Sequence, residues 1–107
     1  MSLLDESPLF SNFATDPDMA ELVEEFISVL PERVRSIEKA VQAQDLEGLR
    51  RLAHQLKGAG GGYGFDVIGQ AAAILEASAK AAGSISELNG KVRELIALCQ
   101  RAKAHPD

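Results

Sequence analysis

His54 is followed by Lys57, Gly58 and Gly61, and intervals of three, four and seven place all four positions on one stripe of an α-helix. An imidazole is a nucleophile near neutral pH, and here it would share its face with a cation and two residues that have no side chain. Bare backbone beside the ring leaves room for the surface of another macromolecule, so the pattern suits a group that hands something to a protein partner. Arg50 and Arg51, one turn earlier, add a local cationic patch that could steer an acidic partner site. They also suit an ordinary solvated face, for example Glu47 with Arg51 at i, i+4.

Other chemistries fit less well. Gly58 to Gly64 looks like a phosphate-cradling loop, but Tyr63 or Phe65 falls where the last glycine of G-x-G-x-x-G should be, and no lysine follows as a Walker loop requires. A hydrolytic metal site has no support, because His54 and His105 are 51 residues apart and neither has a second histidine or cysteine at ligand spacing. Cys99, among Leu95, Ile96 and Ala102, is expected as a buried, unreactive thiol in a reducing compartment.

At 107 residues the chain is expected to form one domain, burying roughly two-thirds of its unfolded surface. Sixteen acidic against eleven basic residues give a net charge of -5, which repels a phosphate backbone and argues against nucleic acid as the main partner. The first residues lack the positive start and long apolar run of a signal peptide, and no apolar stretch reaches the about 18 residues of a membrane span. A cytoplasmic protein is the expectation.

The elements that must hold His54 are helical. Asp16 is expected to cap a first helix with Pro17 at its first position, and Met19, Leu22, Val23, Phe26, Ile27, Leu30, Val34, Ile37 and Val41 form its stripe. Pro31 predicts a kink near Ser28 to Pro31, or two stacked helices. Asp45 caps a second helix with Leu46, Leu49, Leu52, Ala53 and Leu56 inward. A third spans Phe65 or Asp66 to Ala82, with Gly83 as its stop, and its many alanines imply close packing. Ser84 and Glu87 resemble a capping box for a fourth, with Ile85, Leu88, Val92, Leu95, Cys99 and Ala102 inward. Short connections make antiparallel neighbours, so the fold class is all-α: an antiparallel four-helix bundle, with a short N-terminal capping helix from Ser7-Pro8 through Phe10 and Phe13. Residues 105–107 are expected as a frayed tail.

The stretch Ala53-His-Gln-Leu-Lys-Gly-Ala-Gly-Gly-Gly-Tyr-Gly-Phe65 resembles the signature of histidine-containing phosphotransfer (HPt) domains, His-x-Leu-Lys-Gly with a second glycine, here Gly64, ten residues after the histidine. Phe26 through Pro31 to Asp45, the Leu49, Leu52, Ala53 approach to His54, and Leu75-Glu76 extend the likeness over about residues 16 to 82. It implies a single four-helix domain over 1–107, with residues 1–15 as a cap segment and the phosphorylatable His54 exposed on the second long helix. It also implies a phosphocarrier without its own ATP site, moving a phosphoryl group between receiver aspartates or from a histidine kinase pathway into a receiver.

The family pattern places an acidic or amide side chain 22 positions after the histidine, at Glu76. Its carboxylate would accept from Nδ1–H and leave Nε2 as the nucleophile, while the alternative for Glu76 is an exposed helix-face charge. Lys57 would approach the phosphoryl oxygens, where charge and positioning are most of what such a transfer needs, and otherwise is a surface lysine. Gln55, Gly58 and Gly61 would allow the partner close approach, and Gly64 would end the helix in the left-handed conformation. Gly60 and Gly62 face elsewhere, where close helix packing is expected. Three successive glycines exceed the family pattern and leave the regularity of the last turn open, at about 1 kcal/mol per interior glycine. No cofactor is expected in the chain, Mg²⁺ belonging to the partner's acidic pocket. The partners are a receiver domain of a response regulator and/or a hybrid sensor histidine kinase, and a monomer is expected. The rival reading is a helical adaptor that docks a signalling protein without phosphotransfer.

Overall fold

Apolar residues at threes and fours turn four segments of the chain into helices with one buried stripe each, and burying those stripes together gives the bundle. A computed structural model describes residues 7–104. Its elements are β1 (Leu9–Phe10), α1 (Ala20–Gln42), α2 (Leu46–Gly62), α3 (Asp66–Ala81), a 3₁₀ turn (Ile85–Leu88), α4 (Asn89–Arg101) and β2 (Ala102–Lys103). The helices pack in a closed ring, α1 on α2, α2 on α3, α3 on α4 and α4 on α1. Val23, Phe26, Leu30 and Ile37 of α1 meet Leu49, Ala53 and Leu56 of α2, Ile68, Ala72 and Leu75 of α3, and Val92 and Leu95 of α4 in one core. The expected 105–107 tail lies outside the described residues, as do the first six residues of the expected cap segment.

The N-terminal segment differs from the short helix expected. Leu9 and Phe10 are extended and pair in parallel with Ala102 and Lys103. A helix of two turns has too few internal hydrogen bonds to offset its nucleation, and the extended form finds better partners in the tertiary structure. Asn12 N–H donates to Gly64 O at 2.8 Å, and Ser11 Oγ donates to Tyr63 O at 2.6 Å while accepting from Phe13 N–H. The segment thus satisfies carbonyls left open where α2 ends.

Helix ends depart from the sequence reading at Asp16 and at Ser84, and of the two alternatives for Pro31 the structure shows the single helix. Asp16 accepts from Asp18 N–H at 2.9 Å, so it closes a turn one step before α1, which begins at Ala20. Pro31 lies inside one continuous helix, not between two. The Ser84 side chain makes no cap bond to backbone; the Glu87 carboxylate instead accepts from Gly83 N–H at 3.2 Å and from Ser84 Oγ, and a 3₁₀ turn precedes α4. Asp45 does cap α2, accepting from Gly48 N–H at 2.8 Å.

The glycine run is helical through Gly62. What offsets its poor propensity is the contact of α2 with α3: a Cβ on Gly60 would stand 2.9 Å from the backbone nitrogen of Gly69, and one on Gly69 would stand 3.1 Å from Gly61 N. Two glycines facing each other let the backbones approach more closely than alanine would permit. Gly62 faces open space, contrary to the packing expected for it. Gly64 has φ +84° and is buried against Ser11, Asn12 and Phe13, which turns Phe65 inward to stack on Phe26 at 5.5 Å.

Gly60→Ala is therefore expected to lower the unfolding free energy by about 1–3 kcal/mol through overpacking, and Gly62→Ala to raise it by about 0.4–1 kcal/mol through the unfolded state. Urea unfolding of the two variants checks this, and equal shifts would contradict the close α2–α3 contact.

Candidate functional site

Helix α2 has two working faces. Leu49, Ala53, Leu56 and Gly60 are buried, and that register turns His54 outward, its side chain 62% exposed. Gln55, Gly58 and Gly61 are exposed beside it, and a Cβ on either glycine would meet nothing within 4 Å. The strip next to the imidazole is bare backbone open to solvent.

On α3, Ile68, Ala72, Leu75 and Ala79 face the core, and Glu76 sits at the edge of that stripe, against α2. Only 5% of Glu76 is exposed, so the surface-charge alternative for it does not hold. Its carboxylate is shared: Oε2 lies 2.8 Å from His54 Nδ1, and Oε1 lies 2.8 Å from Lys57 Nζ. Lys80, one turn further along α3, stands 3.9 Å from Oε2. The Lys57 ammonium is the main cause that pulls the Glu76 carboxyl down to about 2; burial opposes it and the His54 contact adds to it. A carboxylate that stays ionised is an acceptor only, so the contact calls for hydrogen on His54 Nδ1, and the neutral form of such a ring carries its lone pair on Nε2.

The two arginines fall out differently. Arg50 Nε donates to Glu47 Oε1 at 3.1 Å and its guanidinium pairs with the same carboxylate, so the pairing is i, i+3 and not the Glu47 with Arg51 considered from spacing. Arg51 is exposed. Lys80 was not singled out by the sequence reading; its place four residues after Glu76 was the available signal. Cys99 is buried, and burial pushes its thiol up to about 12, which keeps it protonated and unreactive. No group of three or more metal-ligating side chains occurs among the described residues, and none of their helices is long and apolar enough to cross a membrane.

Residues 21–105 match the family model of the Hpt domain, which carries the likeness past α3 and through α4. The chain belongs to the Hpt domain family, whose members are phosphotransfer domains of phosphorelay signalling, carriers rather than catalysts, that interact with receiver domains and kinases. No curated protein and no solved structure matches the chain.

Glu76 supplies a pH signature. Folded, it stays charged down to about pH 2, whereas in the unfolded chain it takes up its proton near the ordinary glutamate value of 4.5. Between those values the unfolded state binds more protons, so this contribution to stability is complete above the upper value and is lost as pH falls toward the lower. Glu32 and Glu47, held below the usual range by Arg35 and Arg50, act in the same direction and are common to wild type and Glu76→Gln. The stability advantage of wild type over Glu76→Gln is expected to shrink between about pH 5 and about pH 2. Urea titrations at several pH values measure it, and a constant difference would contradict the ionised, shared carboxylate.

Proposed function

We propose that this Hpt domain accepts a phosphoryl group on His54 Nε2 from a receiver phosphoaspartate and passes it to another receiver. The observation that carries the reading is the split of the imidazole between its two nitrogens: Nδ1 is 2.8 Å from a buried carboxylate, while the side chain is largely in solvent. A neutral ring whose Nδ1 keeps its hydrogen needs no separate base to attack phosphorus. As the Nε2–P bond forms, the bond from phosphorus to the aspartyl oxygen breaks and the carboxylate leaves with the electron pair. The ring then carries positive charge, which Glu76 offsets. The reverse sequence delivers the group to the next aspartate.

Lys57 lies one turn along from His54 and supplies a cation for the phosphoryl oxygens, in a reaction where charge and position are most of what the protein contributes. Gly58 and Gly61 admit the partner's backbone, Gln55 borders the contact, and Arg50 and Arg51 draw an acidic pocket toward it. On α1, Leu22 and Val29 are large apolar side chains left exposed, at 43% and 39%, and they flank the stripe of Phe26, which stacks on Tyr63 at the end of α2. They are the apolar part of the docking face in this reading. The Mg²⁺ that steadies an aspartyl phosphate is assigned to the receiver's acidic pocket, no ATP site is required here, and the carrier works as a monomer in the cytoplasm. The receiver is free or part of a hybrid sensor kinase. An adaptor that only docked a partner would have no use for a buried carboxylate held against an exposed imidazole.

Incubation with a receiver carrying labelled phosphate is expected to give an acid-labile, base-stable adduct on wild type and none on His54→Gln; labelling that persists in the variant would end the assignment. Lys57→Ala is expected to keep the wild-type circular dichroism spectrum and to slow transfer about tenfold or more, the worth of one charge-assisted hydrogen bond. An unchanged rate, followed by single-turnover transfer, would leave Lys57 as a partner of Glu76 with no part in the transfer.

A further inference from the structure

The Glu76 carboxylate has two cations, and only one has a part in the chemistry so far. Lys57 bonds Oε1 at 2.8 Å, and Lys80 waits 3.9 Å from Oε2 with its side chain 60% exposed. The groups facing the carboxylate are His54 and Lys57 from α2 and Lys80 from α3 itself, with Arg50 feeling its charge from further along α2. Lys57 has two claims on it. In the resting domain it holds Glu76, yet a phosphoryl group on Nε2 brings about -1.5 to -2 charge within one turn of the same ammonium. When Lys57 turns toward those oxygens, a carboxylate only 5% exposed loses its strongest partner.

An unpaired buried charge is costly, and the cost would fall during the transfer, when the ring most needs its acceptor. Lys80 is placed to prevent this. It sits at i+4 from Glu76 on a continuous helix, needs to close about 1 Å to reach hydrogen-bonding distance, and its free stem can make that movement without disturbing the backbone. We propose that Lys80 is a positioning residue for phosphoryl transfer, taking over Glu76 as Lys57 turns to the phosphoryl group and so keeping the carboxylate on His54 Nδ1 throughout. Nε2 forms its bond to phosphorus as the aspartyl oxygen departs with its electron pair, and no proton changes place: Nδ1 keeps its hydrogen, both lysines stay charged, and only their partners exchange.

This inference rests on the carrier reading, and two measurements separate the two. The first needs no phosphate: carboxyl NMR of Glu76 is followed against pH in Lys57→Ala and in Lys57→Ala/Lys80→Met. With Lys57 gone, Lys80 is expected to hold the carboxylate, so adding Lys80→Met raises the titration midpoint further; an identical midpoint in the two variants overturns the inference. The second compares single-turnover transfer from a phosphorylated receiver. Lys80→Met, at unchanged thermal stability, is expected to slow it about two- to fivefold, the range of one partly exposed ion pair, and Lys80→Arg to restore it. A wild-type rate in Lys80→Met, or no rescue by arginine, overturns the Lys80 role. Failure of wild type itself to become labelled overturns the carrier reading instead, and the NMR comparison still decides whether Lys80 is the second cation of Glu76.

Discussion

One buried carboxylate organises the site. Glu76 accepts at one oxygen from the imidazole and at the other from an ammonium, and it reaches them because α2 and α3 approach closely where Gly60 faces Gly69. Without that approach the carboxylate would stand off the imidazole. The same closeness shelters Glu76, so its contacts are screened less than surface pairs are and the orientation of His54 is set by more than chance rotamers.

Helix α2 serves two masters along its length, and the 3.6-residue period keeps them apart. Its inward face is anchored by Leu49, Ala53 and Leu56, all essentially unexposed, which leaves no freedom for the helix to roll. Its outward face then holds His54, Lys57, Gly58 and Gly61 in a fixed direction. Glycine is poor in helices, and here its two uses differ by face: Gly60 is needed where another backbone presses in, Gly58 and Gly61 where a visitor must come near. Gly64 adds a third use, a left-handed turn that brings Phe65 back to stack on Phe26. A groove of about 400 Å³ between α1 and α4, lined by Ile27, Pro31, Val34 and Cys99, contains none of the residues around His54, and the reactive ring stands on an open helix face. An exposed face of this kind suits a macromolecular partner better than a small molecule, which needs concavity to be desolvated.

Much of this was legible in advance where it depended on local periodicity. The four helices, the Asp45 cap, the left-handed Gly64 and the outward stripe of His54 with Lys57 all follow from spacings within a few turns. The ends were less legible. Asp16 and Ser84 have the residue types of caps, but tertiary contacts decided which backbone groups their side chains met. The N-terminal segment read as a short helix because Ser7-Pro8 and the Phe10, Phe13 pair suit one, whereas its real partners, Ala102, Lys103 and Gly64, lie far along the chain.

The sequence by itself determined the helical class, the face on which His54 would lie and, through the family pattern, that Glu76 was a candidate partner, because helix period and short connections are local properties of the chain. Only the tertiary structure decided that Glu76 is buried, that Lys57 and His54 divide its two oxygens with Lys80 3.9 Å from one of them, and that Gly60 and Gly69 face each other. Those are relations between α2 and α3, and the relative depth and rotation of two packed helices come from the fit of all their side chains together, which no single stretch of sequence contains.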